Sequence, residues 1–426
     1  MTTEASHQNN VPGSALAEPV RRVGGLWITG LVLVNVGINA AFFGPIQVLI
    51  AQQAQAFDPG KKEAILAFVT GVGAIVALFA NPLFGAFSDR TWSRFGRRRP
   101  WVLIGAVLAA GALLGLAGAP NVAVATVLWC FVQLGANGAY AAITAAIPDR
   151  APVEQRGTVG GLASMGVTVG ILLGAVIGAV VSGNFALGYV LCAAALLVGV
   201  VLYLAKGVDD PLPRAAIERF SLGSFLASFW VNPLRYPDFA WAWFTRFLLM
   251  LGNHMVILYL LFFLGDAVHL KEKEGIEPAT GFLILTGLYA VITIVTSIIG
   301  GKLSDRMGKR KPLVIISSVI VAAASLTIGF FPVWPGAIAG ACILGVGYGT
   351  YLAVDLALIT QVLPQAAARG KDLGVINVAN SLPQVIAPSI AAPIVVFWGG
   401  YVTLYVAAAV VGLLGAVFVT RIRSVA

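Results

Sequence analysis

Twelve apolar runs of roughly 20 residues or more follow one another along this chain, separated by short polar stretches. A run of that length crosses the hydrocarbon of a bilayer as a helix, the one open-ended structure that satisfies its own backbone without water. The runs are 26–50, 64–88, 101–119, 121–146, 159–182, 185–206, 241–265, 278–301, 313–331, 334–361, 372–396 and 399–420. They predict an all-α membrane protein. Charged residues make up only 11% of the chain, against roughly 25% in soluble domains, which excludes a water-soluble fold.

Each half of the chain supplies six runs, and a polar loop recurs at the same place in both. The first copy is Gly85-Ala-Phe-Ser-Asp89-Arg90 followed by Gly96-Arg97-Arg98-Arg99-Pro100. The second is Gly301-Lys302-Leu303-Ser304-Asp305-Arg306 followed by Gly308-Lys309-Arg310-Lys311-Pro312, offset by 216 residues in a chain of 426. Such an offset predicts two pseudo-symmetric six-helix bundles made from one duplicated unit. The expected organisation is a disordered tail over 1–24, a bundle over 25–206, a cytoplasmic linker with an interfacial helix over 207–240, and a second bundle over 241–426. The first run is too long for a signal-peptide core and is expected to remain as a helix.

The formal net charge is +9, and its placement decides its meaning. Alternate loops and the two tails hold 22 of the 27 Lys and Arg residues, and the loops on the other side hold four: Lys61, Lys62, Lys271 and Lys273. By the positive-inside rule both termini are cytoplasmic and the protein sits in the cell membrane. The basic balance is a topology signal rather than a nucleic-acid footprint. Cys130, Cys192 and Cys342 all fall inside spans without a CxxC, so neither a disulfide framework nor a metal site is expected. No G-x-x-x-x-G-K-[ST] loop and no nucleophile–base set is present; neither an enzyme nor a cofactor is expected.

Polar residues inside the spans fall on helical stripes. Asn35 and Asn39 share a face of the first run, with Gln47 beyond them; they suit either interhelical glue or a polar cavity wall. Gln133, Asn137, Tyr140 and Thr144 form one stripe on the fourth, and Tyr348, Tyr351 and Asp355 one on the tenth. The seventh carries Arg246, Asn253 and His254; the eleventh carries Asn377, Asn380 and Gln384. Arg246 and Asp355 are the only charges well inside spans. Each lies about six residues from its helix's cytoplasmic end, at a depth of roughly 9 Å, and a lone charge there costs a few kcal/mol, so they are predicted to pair. The pair is either structural or a protonation site at Asp355 tuned by Arg246. His254 is the second candidate proton carrier, or a packing residue.

Gly85-x-x-x-Asp89-Arg90 with Gly96-Arg97-Arg98, and its second copy, resembles the signature loop of the major facilitator superfamily. The spacing before Gly96 and the run Ser93-Arg94-Phe95-Gly96-Arg97-Arg98-Arg99-Pro100 are similar to the sucrose-transporter and sugar–cation symporter branch. The resemblance covers nearly the whole chain. It implies that spans 1, 4, 7 and 10 line a central cavity. It also implies that Gly85, Asp89, Arg90, Arg97, Asp305 and Arg306 latch the outward-facing state. Independently of that, Asp89 at a helix end suits the N-terminus of a neighbouring helix, and the arginines suit lipid headgroups. In that branch the fourth helix carries a coupling Asp and, further on, an Arg; Gln133 and Thr144 stand there instead, so coupling is expected to have moved to Asp355. Gly161, Gly170, Gly174 and Gly178 also resemble an exporter's antiporter motif, with Ala175 and Ala179 departing from it; together with Gly166 they suit helix packing.

The expected function is secondary active transport of a small polar solute, a sugar or glycoside, by alternating access with proton or sodium symport. Asn35, Asn39, Gln47, Gln133, Asn137, Tyr140, Tyr348, Tyr351 and Asn377 are the candidate solute ligands. Amides donate and accept hydrogen bonds, as hydroxyl-rich solutes require, and tyrosine rings stack on sugar faces. The expected partners are the solute, the coupling ion and the lipid bilayer, with a monomeric protein. A drug/proton antiporter is the alternative within transport; a non-transporting membrane sensor is the alternative from another class.

Overall fold

A computed structural model of the protein describes residues 19–181, 183–206, 223, 232–307, 310–362 and 369–423. The side chains of several helical residues, Asp305 and Asn377 among them, lie outside that description, as do most of the N-terminal tail and the proposed interfacial helix within 207–231. Every regular element among the described residues is helical.

Twelve spans are present. In the first, α1 (Gly25–Gly44) passes through a π-helical turn (Pro45–Leu49) into α2 (Ile50–Phe57). It thus outruns the apolar stretch by two turns, because Gln53 is buried rather than solvated. The next five are α3 (Lys62–Asp89), α4 (Arg99–Ala117), α5 (Val122–Arg150), α6 (Val153–Val180) and α7 (Phe185–Lys206). The seventh is broken at Tyr259 into α8 (Pro237–Leu258) and α9 (Leu260–Asp266), and the short α10 (Leu270–Glu274) follows outside the apolar runs. The chain continues with α11 (Pro278–Met307), α12 (Lys311–Phe330), α13 (Trp334–Val362), α14 (Arg369–Phe397) and α15 (Gly400–Val419). Local chemistry sets several ends. The Asn121 side chain caps α5 by accepting from the Val124 N–H at 3.0 Å, and Pro100, Pro237 and Pro312 open α4, α8 and α12, where a missing N–H is harmless.

Two compact units form. One comprises Met1–Leu49 and Val76–Leu222, the other Ile50–Ile75 and Gly223–Ala426. In the first, α1 lies between α6 and α7, and α4 packs on α5 and α7. In the second, α13 packs between α11 and α12, while α8 packs on α14 and α15. With lipid rather than water outside, contact between helices depends on close approach. The α4–α5 crossing shows it: a Cβ on Gly105 would sit 2.4 Å from the Gly135 carbonyl oxygen, and one on Gly135 equally close to that of Gly105. The glycine ladder of α6 serves the same end. Gly166, Gly170 and Gly174 rest on the α1 backbone at Val32, Val36 and Gly44. Outward faces stay apolar, as Ile294, Val295, Ile298 and Ile299 on α11 show, because lipid is their solvent.

The α4–α5 contact is testable. Gly135→Ala is expected to cost about 1–3 kcal/mol of stability by overpacking and so to lower the unfolding temperature in detergent. Gly111→Ala, with no atom within 4 Å of the added Cβ, leaves it unchanged or raises it. Equal behaviour of the two in scanning fluorimetry would mean that α4 and α5 do not meet at Gly135.

Candidate functional site

Among the described residues, the densest polar chemistry inside the spans lies in the second unit, where α8, α13 and α14 bring four polar side chains together. Arg246 on α8 donates from Nη1 to Asp355 Oδ2 on α13, and from Nε to Asn380 Oδ1 on α14 at 2.7 Å. Tyr351, one turn before Asp355, donates its hydroxyl to Asp355 Oδ1 at 2.6 Å. Both carboxylate oxygens are therefore occupied. The side chains are only 14% and 8% exposed, so the two charges neutralise each other away from solvent. That is the condition under which a bilayer tolerates them.

An aromatic row extends from the pair. The Tyr348 ring lies 6.2 Å from Tyr351 and 5.8 Å from Tyr289 on α11, and its hydroxyl points to Met250 Sδ at 3.6 Å. Tyr289 is hydrogen-bonded to Asn253 and Thr293. Asn253 is buried, yet its Oδ1 has no hydrogen-bond partner among the described residues. His254 bonds through Nδ1 to the Met250 carbonyl of its own helix at 2.7 Å. The side chain of Asn377 lies outside the described residues. Asn380 and Tyr289 are members of this cluster that the sequence reading did not select; the 3- and 4-residue spacing of Asn377, Asn380 and Gln384 was the signal for the first.

The first unit holds a second, smaller polar region. Asn35, Tyr140 and Thr144 line a cavity of about 190 Å³ with Ser164 of α6, and Tyr140 is hydrogen-bonded to Thr144. Asn137 donates to both the Gln133 carbonyl (2.9 Å) and its Oε1 (3.0 Å). Asn39 is different: its amide donates to the Asn35 carbonyl at 2.8 Å, and its Cβ faces Gly170. Asn35 likewise donates to the Leu31 carbonyl at 2.8 Å. Gln47 sits buried in the π turn, and its Oε1 has no partner among the described residues.

The signature loop differs from the expectation that its arginines reach headgroups. Arg97 and Arg98 are buried and both bond Asp149 at the end of α5, at 2.6 and 2.8 Å. Arg98 also holds Asp89 at 2.6 Å and donates to Ser88 Oγ. Asp89 thus meets the guanidinium of the α4 N-cap residue rather than backbone N–H groups. Burial opposes the Arg98 charge, but Asp149 and then Asp89 outweigh it, so its pKa lies above the ordinary arginine value. Arg90 turns back to the Ala86 carbonyl at 2.9 Å, and Gly85 has open space beside it. In the second copy Arg306 is exposed, and Arg310 donates to Ser304 Oγ as Arg98 does to Ser88. At the opposite end of α3, Lys62 pairs with Asp266 at 2.7 Å and lies over the Phe262 ring, while Tyr401 donates to the other Asp266 oxygen at 2.8 Å.

Apolar spans that shelter a neutralised ion pair amid amides and phenols define a polytopic membrane protein. The family model described as Major Facilitator Superfamily matches residues 29–284 and 269–425, and the chain belongs to that superfamily. Among solved structures it is similar to a peptide transporter, POT, in complex with sulfate (TM-score 0.74, 15% identity, 96% of both chains). It is also similar to a mutant of the nucleoside transporter NupG (TM-score 0.76, 13% identity, 93% of this chain and 99% of that one). At such identities these show the fold alone. Among curated proteins it is 49% identical over 57 residues to the human "Proton-associated sugar transporter A", a match covering 13% of this chain and 7% of that protein.

Removing Asp149 strands the buried Arg97 and leaves Arg98 with Asp89 as its acidic partner. Asp149→Ala is expected to lose about 3–5 kcal/mol, the cost of breaking a buried pair from one side. Asp58→Ala removes an exposed 3.9 Å pairing with Lys61 and an exposed 2.9 Å bond from the Gly60 N–H, and is expected to change stability by about 0–1 kcal/mol. Thermal unfolding of the two variants side by side checks the difference.

Proposed function

We propose that this transporter carries a sugar or glycoside by alternating access, coupled to the symport of a proton, with sodium the other candidate ion, in the cell membrane with both termini cytoplasmic. The observation that carries this reading is the buried Arg246–Asp355 pair, whose two carboxylate oxygens accept from Arg246 and Tyr351.

Protonation of Asp355 takes away the negative partner of Arg246 and leaves its guanidinium with donors to spare. A solute hydroxyl is a suitable acceptor for them. A solute that engages Arg246 in turn competes with Asp355 and favours its protonated form. By reciprocity the proton and the solute strengthen each other's binding, which is the requirement for symport. Asn380 keeps Arg246 oriented through the exchange, and Tyr351 switches from donor to acceptor as Asp355 gains its proton. Tyr348 and Tyr289 offer aromatic faces beside this site, and Asn253 Oδ1 offers an unoccupied acceptor. Within the first unit, Tyr140, Thr144 and Asn35 line a polar cavity of their own.

The sugar class is supported by these neutral amides and phenols and by the similarity, over 57 residues, to the human "Proton-associated sugar transporter A". The exporter alternative draws less support, because the glycines that resemble its motif are used in packing α6 on α1.

Proteoliposomes loaded with a panel of radiolabelled sugars, under imposed proton or sodium gradients, test the reading. The wild-type protein is expected to accumulate one of them with a proton gradient. Asp355→Asn is expected to abolish accumulation above equilibrium while retaining exchange between internal and external sugar. Accumulation at wild-type level by Asp355→Asn would remove this carboxylate from coupling. Sugar-driven proton movement opposite to the sugar would replace symport by antiport.

A further inference from the structure

At the arginine-rich end of the second unit, an apolar groove of about 830 Å³ opens between α8, α14 and α15. Trp241, Trp243 and Phe244 of α8, Val375 and Val378 of α14, and Phe418 of α15 line it. The aromatic floor is fixed before anything binds. Trp241 stacks on Phe418 at 5.4 Å with 18° between the rings, and Trp243 donates Nε1–H to the Val375 carbonyl at 2.9 Å. With those indole and carbonyl groups satisfied, the groove itself presents hydrocarbon. At its mouth Leu234 is 91% exposed.

Three exposed arginines lie within five residues of side chains that line the groove. Arg235 lies between the exposed Leu234 and Pro237, its guanidinium over the Tyr236 ring at 5.6 Å. Arg421 begins the turn after Phe418, where its N–H donates to the Phe418 carbonyl at 3.0 Å. Arg423 is held beside the first turn of α8 by a 3.0 Å bond from its N–H to Asp238 Oδ1, which leaves its guanidinium clear of that contact. Asp238 is the acidic group at this rim, and it is engaged.

Hydrocarbon below and a ring of cations above is the complement of a lipid with a negatively charged headgroup. We infer that the α8–α14–α15 groove is a binding site for an anionic phospholipid, its acyl chains in the groove and its phosphate at Arg235, Arg421 and Arg423. Aromatic side chains at this depth suit the boundary between chains and headgroups, and basic residues next to it draw anionic lipid. The site is separate from the Arg246 cluster and does not depend on which solute is carried.

The test uses the full chain reconstituted in equal phosphatidylglycerol and phosphatidylcholine, followed by native mass spectrometry of the lipids that remain bound. Phosphatidylglycerol is expected to be retained preferentially. Each rim arginine contributes roughly a fivefold preference, so the triple change Arg235→Gln, Arg421→Gln, Arg423→Gln removes the selectivity. Arg94→Gln, on the exposed part of the signature loop, leaves it intact. Val378→Trp, which fills the groove and keeps the rim, is expected to lower retention of both lipids. A photoreactive phenylalanine analogue in place of Phe244 is expected to label phospholipid. Equal retention of the two lipids, full selectivity in the triple variant, or labelling of residues 207–231 of the same chain instead of lipid would each overturn the site.

Discussion

Hydrocarbon offers no hydrogen bond to anything placed in it, and every polar group inside this protein is arranged around that fact. Helices satisfy the backbone, and many of the polar side chains, such as Asn35, Asn39 and Asn137, bond their own helix. Arg246 and Asp355 are the extreme case. Either one alone in a span would cost a few kcal/mol; together, with Asn380 and Tyr351 completing their bonds, they form a neutral group with all its partners supplied by protein. That neutrality is what makes the pair responsive. Adding one proton changes the net charge of the cluster, and in a medium of low polarisability such a change is felt by every partner.

The same constraint explains why the loops at one end of the spans are tied into the structure. Arg97 and Arg98 are drawn in against Asp149 and Asp89, so the cationic loop braces the ends of α3, α4 and α5. The internal duplication extends to the atomic level. An arginine at the start of the following helix reaches back to a serine near the end of the preceding one, Arg98 to Ser88 and Arg310 to Ser304.

Much of this was legible in the chain itself. Apolar runs gave all twelve spans, because in a bilayer length and hydropathy are sufficient causes of a helix. The ends were less legible. Helices continue past the hydrocarbon wherever capping or burial favours it, as α2 does through Gln53 and as α11 does to Met307. Stripe positions identified Arg246, Asp355, Tyr348 and Tyr351, since charge in a span has few places to go. Periodicity did not reveal which neighbours complete a site. Asn380 and Tyr289 enter through the packing of α14 and α11, and Asn39 turns to the α1 backbone although its spacing equally suits a cavity wall. Asp149 stood at the end of an apolar helix, opposite an arginine-rich loop. That arrangement was readable as a charge partner and was read as topology.

The cluster at the far end of α3 differs from these in one respect. Lys62 is shielded, its side chain 13% exposed, but Asp266 is 38% exposed, and Tyr401 and the Phe262 ring complete the contact from the protein side. Asp266 is more open to dissolved ions than Asp355, whose side chain is 8% exposed. The tether between α3, α9 and α15 therefore loosens in brine and tightens in dilute medium, which makes the mineral content of the fluid on that face a setting for how firmly these three helices hold together.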